Sequence, residues 1–365
     1  MDRSTAPIVT TILDADDNRT TVEAVRDGDA LRIDAATLEA ATGWVLKPVG
    51  LCRGDICIPT AGRPDLTVAP PAGSGDGDSG GRALVDLEVF AALTQQPVVI
   101  DADEGVVAFG TPAAVRAEQR TSLEAPDFTV NDLDGRAVGL SDFHGKKKML
   151  VAFASWCGCA YDLPAWQEMQ NELADRDFAI IGVAVDEKVE DVTPFTESID
   201  FPVLLDRDHV ITERYDIRNV PTVVWIDEDD HIVRPNDVAF GTDMFKDFHH
   251  IDSDPHHDAL REWVTTGAAP MAPDEVAENV LVPSDDEQLA RVHWRVAMEL
   301  YRDERLEAAN RHFDRAGELA PHDFTIRRSS MPLRGIDPFL SEEFIELFES
   351  YNAAGRPGYG FGHDD

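Results

Sequence analysis

Two cysteines one residue apart, Cys157 and Cys159, follow Trp156 at the end of an apolar run in VAFASWCGCAYDLP, residues 151–164. Such a pair can exchange disulfides, one thiolate attacking a disulfide sulfur and the second thiol resolving the mixed disulfide. The attack needs a thiolate at ambient pH. Cys157 is expected at the start of a helix, where unsatisfied N–H groups and the dipole bring a thiol below its free value of about 8.5. Cys159 is the expected second thiol, because Cα atoms two residues apart can lie within the disulfide range of about 4.4–6.8 Å. A bond closed in so small a ring is expected to be readily reduced, making an oxidising couple. Pro164 falls inside the helical pattern and is expected to kink it. A second close pair, Cys52 and Cys57, lies in LCRGDIC. Gly54 and Asp55 between them would let the two thiols meet as a second redox pair serving Cys157. Two small apolar residues packed at a strand edge would leave the same pattern.

Other chemistry-bearing residues are less specific. Val220-Pro221-Thr222 opens an apolar stretch, and a proline there is either an ordinary strand start or a cis peptide beside the cysteines. In the second case the exposed backbone would pair with an incoming chain. His249, His250, His256 and His257 cluster with Asp252, Asp254 and Asp258, but adjacent histidines point apart. Asp252-Ser253-Asp254-Pro255 reads as a helix N-terminus. The first histidine is His144, so Cys52 and Cys57 have no local partners for a closed zinc site. Neither a metal nor a cofactor is expected. Asp227-Glu228-Asp229-Asp230 reads as a solvated hairpin tip.

The elements that must position these residues follow from periodicity. Residues 1–117 read as a small α+β domain: TTVEAVRDGDALRID alternates like a hairpin, AATLEAATG is a helix ending at Gly43, and PVVIDADEGVVAFG is a strand pair. Residues 69–82, APPAGSGDGDSGGR, form an acidic Gly/Ser loop. From residue 118 to 267 strands alternate with helices, and KMLVAFAS and FAIIGVAVDE are continuous apolar runs of buried strands. This pattern predicts an α/β sheet with parallel pairing at its centre. A Pro-rich linker, 268–286, leads to a helical hairpin, 287–335, whose Ala309, Phe313, Ala316 and Pro321 have tetratricopeptide-like spacing. It occurs once and cannot bury its own face. It is expected to pack on the rest of the chain, the alternative being a protein partner docked there. Residues 336–365 hold a last helix and a Gly-rich tail.

Residues 124 to about 240 resemble the thioredoxin superfamily, in the redoxin (AhpC/TSA) branch that includes TlpA/ResA-type thiol–disulfide oxidoreductases and peroxiredoxins. The segments that carry the resemblance are Ala125-Pro126-Asp127-Phe128, LDGRAVGLSDFHGKK, FASWCGC, GVAVDE, FPVLLDRD, RYDIRNVPT and VVWIDEDD, in the family's order. The resemblance implies a thioredoxin-like fold, with Cys157 as nucleophile, Cys159 as resolving thiol, Trp156 flanking the site and Pro221 as the cis-proline. Glu187 or Asp186, at the end of the GVAVDE strand, would assist proton transfer. The chain departs from the family in spacing its cysteines as Cys-Gly-Cys and in carrying Ala152 where some thioredoxins bury an aspartate. Peroxiredoxins use Pro-x-x-x-Thr-x-x-Cys, and here Leu150 and Ala154 occupy the proline and threonine positions.

Composition bounds the function classes. The chain has 365 residues, enough for two or three cores, and a formal net charge of −38 from 70 acidic and 32 basic residues. That field repels phosphate backbones and anionic lipid, so neither nucleic acid nor a membrane surface is an expected partner. No stretch approaches the ~20 apolar residues that span a bilayer. The N-terminus shows no basic region followed by an apolar one, and the cytoplasm is the expected compartment. The sequence thus points to a thiol–disulfide oxidoreductase exchanging electrons with protein or small-molecule disulfides and an unidentified thiol donor. A thiol peroxidase using Cys157 and a non-catalytic redox-sensing adaptor are the alternatives.

Overall fold

The computed structural model describes residues 7–16, 18–68 and 83–356. The expected Gly/Ser loop, 69–82, and the Gly-rich tail lie outside them. The chain divides into two compact units: residues 1–116 with 284–319, and residues 117–283 with 320–365. The boundary cuts through the expected hairpin segment, leaving its last residues, from Ala320, in the second unit.

The first unit is α+β. Its main sheet has seven strands in the order Thr67–Val68, Leu84–Asp86, Ala30–Asp34, Arg19–Asp27, Pro7–Leu13, Val106–Phe109, Val98–Asp101. Helix Ala35–Thr42 starts on an Asp34 side chain that accepts from Ala36 and Thr37 N–H and stops at Gly43, whose φ of 71° suits a residue without Cβ. The helical pair Asp285–Arg302 and Leu306–Leu319 packs on this sheet: Arg295 donates to the Phe109 carbonyl at 2.7 Å, and Arg19 pairs with Glu299 at 2.8 Å. Ala309, Phe313 and Ala316 are buried there. A separate three-stranded sheet, Val45–Lys47, Gly50–Arg53 and Ile56–Ile58, sets Cys52 opposite Cys57 in adjacent strands, and the two are joined as a disulfide.

The second unit carries a five-stranded sheet in the order Val203–Leu205, Phe178–Ala184, Lys147–Phe153, Thr222–Ile226, Ile232–Asp237. The first three strands run parallel and the last two antiparallel to their neighbours. Strand Lys147–Phe153 is central and buried from Lys148 onward, which is why it reads as an unbroken apolar run. Helices Leu163–Glu172, Val189–Thr196, Val210–Arg214 and Asp254–Thr266 flank the sheet's strands in sequence. This is the thioredoxin-like arrangement within an α/β chain. Its core stacks Trp225 on Trp263, centroids 5.1 Å apart. Pro164, expected to kink a helix from inside, stands in the first turn of Leu163–Glu172, where its missing N–H would have had no helical partner. Among the described residues no helix is long and apolar enough to cross a membrane.

One buried carboxylate gives this unit a testable pH response. Asp206 accepts from Ile211 N–H (3.1 Å), Thr212 N–H (2.8 Å) and Thr212 Oγ1 (2.6 Å), and burial pushes its pKa up to about 6. A carboxyl raised on folding binds its proton more tightly in the native state. Its stabilising contribution is complete below the unfolded value near 4 and is lost as pH rises through about 6. Asp206→Asn is therefore expected to flatten the rise in unfolding free energy between pH 7 and 4.5, by roughly 2 kcal/mol. Urea titrations at both pH values measure it; an unchanged slope would count against the assignment.

Candidate active site

The thiol pair lies past the carboxyl end of the central strand. After Phe153 the chain turns, and Ser155 anchors the turn: its N–H and Oγ donate to the Asp186 carboxylate at 3.0 and 2.5 Å. Cys157 N–H donates to the Ala154 carbonyl at 3.0 Å. Cys157 precedes a five-residue 3-10 turn, Gly158–Asp162, not the helix itself, so of the helix-start effect expected from sequence what acts on it is the Cys159 backbone N–H of that turn. Gly158 is constrained by packing: a Cβ there would come within 2.8 Å of the Phe245 ring. Cys157 is half-buried and Cys159 buried, and both are free thiols.

The opposite wall comes from the antiparallel strand. Ala152 pairs with Thr222 in the sheet register, which sets the preceding Val220–Pro221 peptide beside the cysteine loop. That peptide is cis. The Val220 carbonyl accepts from Cys157 Sγ at 3.6 Å, and Thr222 Oγ1 ties down the loop by donating to the Asn219 carbonyl at 2.9 Å.

The two thiols differ in acidity. Cys157 is lowered to about 7, first by the hydrogen bond from the Cys159 side chain and then, against burial, by the Arg328 guanidinium. Cys159 is held well above its ordinary value, by burial first and by the negative charge of Cys157, with Asp162 adding to the effect. A more acidic thiol and a buried, less acidic one are thus set side by side. Alkylation of Cys157 by iodoacetamide is expected to rise about tenfold per pH unit in acid and level off with a midpoint about 7. A midpoint near the free value of about 8.5 would show that neither Cys159 nor Arg328 acts on it.

Arg328 is not legible as a site residue in the sequence. It lies in helix Phe324–Leu333, within the segment expected to form a tetratricopeptide-like hairpin, yet its guanidinium sits 5.0 Å from the Trp156 ring and donates to the Trp156 carbonyl at 3.2 Å. Sequence reasoning also misses Asp162. It is buried, receives a 2.6 Å hydrogen bond from Thr242 Oγ1, and is raised above the usual carboxylate range by burial. Its second oxygen has no partner among the described residues. The carboxylates expected from sequence stand elsewhere. Asp186 is committed to Ser155, with burial pushing it up to about 6, and Glu187 is half-buried and outside the cavity at the thiols. The histidines do not converge: His256 and His257 meet the Trp166 ring edge-on, while His249 stacks on Phe240 at 3.6 Å. No cluster of metal-ligating residues exists among those described.

Comparison with known proteins places part of the chain in a family. The AhpC/TSA family model matches residues 122–234. A thiol-disulfide oxidoreductase ResA of Bacillus cereus is 31% identical over 123 residues, covering 33% of this chain and 71% of that protein. The chain belongs to the AhpC/TSA family. Another relative, the ResA of Bacillus thuringiensis subsp. konkukian, is 32% identical over 114 residues; the match takes in 30% of this chain and spans 66% of that protein's length. Among solved structures, the thioredoxin domain of a thiol-disulfide oxidoreductase from Bacteroides vulgatus is 26% identical, covering 39% of this chain and 96% of its own, with a TM-score of 0.32. In this AhpC/TSA chain the family match ends before the helices that bring Arg328 to the cysteines.

Proposed function

We propose that the chain is a thiol–disulfide oxidoreductase in which Cys157 is the nucleophile and Cys159 the resolving thiol. The observation that carries this reading is the pair of free thiols, Cys157 half-buried and Cys159 buried, past the carboxyl end of the central strand, with Cys157 the more acidic of the two. The relatives' names as thiol-disulfide oxidoreductases support it. The Cys157 thiolate attacks one sulfur of a substrate disulfide, whose S–S bond breaks and whose other half leaves as a thiolate. Cys159 then loses its proton and attacks the Cys157 sulfur, releasing the second substrate thiol. Two electrons have passed to the substrate, and the enzyme holds a Cys157–Cys159 disulfide until an external dithiol reduces it. We assign that proton to Asp162, a buried carboxyl whose charge acts on Cys159.

Treating the protein, reduced at Cys157 and Cys159, with one equivalent of cystamine and mapping its peptides tests this reading. A Cys157–Cys159 link is expected. A link from Cys157 to Cys52 or Cys57 would make the N-terminal pair the resolving partner instead. Turnover of hydrogen peroxide by the same preparation, with no cystamine exchange, would favour a peroxidase.

A further inference from the structure

A cavity of about 330 Å³ opens on Cys157 and Cys159. That volume is at the small end of small-molecule sites, which run about 300–1,000 Å³. Its floor is Cys157, Cys159 and Pro221; its far wall is aromatic, with Phe324, Phe344 and Tyr351 from the C-terminal helices Phe324–Leu333 and Glu342–Ala353. These helices share an apolar cluster of their own, including Met331 and Leu347. They are fastened to the loop that leads into the cis-proline: Phe324 N–H donates to the Arg218 carbonyl at 2.7 Å, and Thr325 Oγ1 to the Ile217 carbonyl at 3.0 Å.

The backbone that a polypeptide substrate would need is already engaged: Val220 N–H donates to Asn219 Oδ1 at 2.8 Å and its carbonyl accepts from Cys157 Sγ at 3.6 Å. Val220 is 3% exposed and Pro221 is buried, so an extended chain has no free edge at the cis-proline to pair with. The opening instead suits a compact apolar molecule. It has a polar handle: His249 lines the cavity, is 5% exposed, and is neutral because burial lowers its pKa to about 4. Its Nδ1 accepts from Ile251 N–H at 3.0 Å, so the proton is on Nε2, which has no partner among the described residues. A buried donor left unpaired is destabilising, and a ligand's oxygen would relieve it.

We propose, building on the exchange reading above, that the substrates are low-molecular-weight disulfides with apolar arms, held by the aromatic wall and, where they carry a carbonyl or carboxylate oxygen, by His249 Nε2–H. The exchange follows the steps given above, with both halves of the small disulfide leaving as thiols and an external dithiol restoring the pair.

The test uses the full chain, reduced at Cys157 and Cys159, and two disulfides of equal heavy-atom count, dipropyl disulfide and bis(2-hydroxyethyl) disulfide. Single-turnover rate constants are read by quenching with iodoacetamide and mass spectrometry, each divided by its rate with N-acetylcysteine. Dipropyl disulfide is expected to be favoured at least tenfold, and Leu340→Glu, at the 75% exposed rim of the cavity, to reduce that preference to near unity. Equal normalised rates in the native protein would overturn the proposal. Octanamide, which has an apolar chain and a carbonyl but no sulfur, separates the two readings by calorimetry. If neither disulfide reacts, the exchange reading falls while octanamide binding that His249→Phe weakens at least fivefold upholds the pocket. No octanamide binding together with no exchange overturns both.

Discussion

Cys157→Ser is expected to lower the rate of disulfide exchange by at least about 10³-fold with little loss of stability, because a serine hydroxyl gives no nucleophilic anion near neutral pH. The site otherwise stays assembled. Cys157 is half-buried, the exchange of sulfur for oxygen opens no large void, and the Ser155–Asp186 anchor is untouched. Cys159→Ser behaves differently. Its hydroxyl can still donate to the Cys157 thiolate, so the first attack survives, but the mixed disulfide cannot be resolved and accumulates as a mass adduct on Cys157. Cys159→Ala removes that donor, and the Cys157 midpoint is expected to rise from about 7. Stopped exchange with adduct trapping, followed by mass spectrometry, checks all three. An active Cys157→Ser protein would remove Cys157 from the chemistry altogether.

Arg328→Met is expected to act at two levels. The guanidinium donates to the Pro338 carbonyl at 2.7 Å and the Trp156 carbonyl at 3.2 Å, and lies 4.6 Å from the Phe344 ring and 5.2 Å from Phe339. Methionine keeps much of the apolar stem but leaves two carbonyls without their donor, so a stability loss of roughly 2–3 kcal/mol is expected, read by urea unfolding. At the thiol, loss of the positive charge raises the Cys157 pKa, since Arg328 is one of the causes that lower it. The sign follows: at pH 6.5 a smaller thiolate fraction remains, and alkylation should slow roughly 3–10-fold, while above pH 9 the two proteins should converge. Arg328→Lys keeps the charge without the planar fork and should restore the pH profile more than the stability. A variant whose alkylation midpoint does not move would show that Arg328 holds the cap alone.

The redoxin unit is largely legible in the sequence because its signals are local. Apolar runs such as Met149–Ala154, short and bounded by polar residues, read as buried strands, and the Trp-Cys that follows places the thiols past the strand's carboxyl end. Pro164 misleads because a 3-10 turn, Gly158–Asp162, precedes the helix and shifts its start. The source of Cys157's acidity is legible only in part. Reasoning from the adjacent chain reaches the Cys159 backbone N–H and thiol, but not the side chain 171 residues on, Arg328. The aromatic spacing Phe344, Leu347, Phe348, Tyr351 in the last helix is a signal that could be followed further, since such a stripe must face something.

By itself the sequence determined the α/β pattern of residues 124–240, the thiol pair and its place after the central strand, and the absence of local zinc ligands for Cys52 and Cys57. Each rests on periodicity or short spacing, which the covalent chain dictates directly. The tertiary structure alone decided that Cys52 and Cys57 are bonded across adjacent strands. It decided also that the helical pair 285–319 belongs with the N-terminal unit and that residues 324–353 cover the thiols. The last two facts depend on which apolar face finds which partner across a hundred or more residues. Amphipathic periodicity shows that a face must be buried and carries no information about what will cover it.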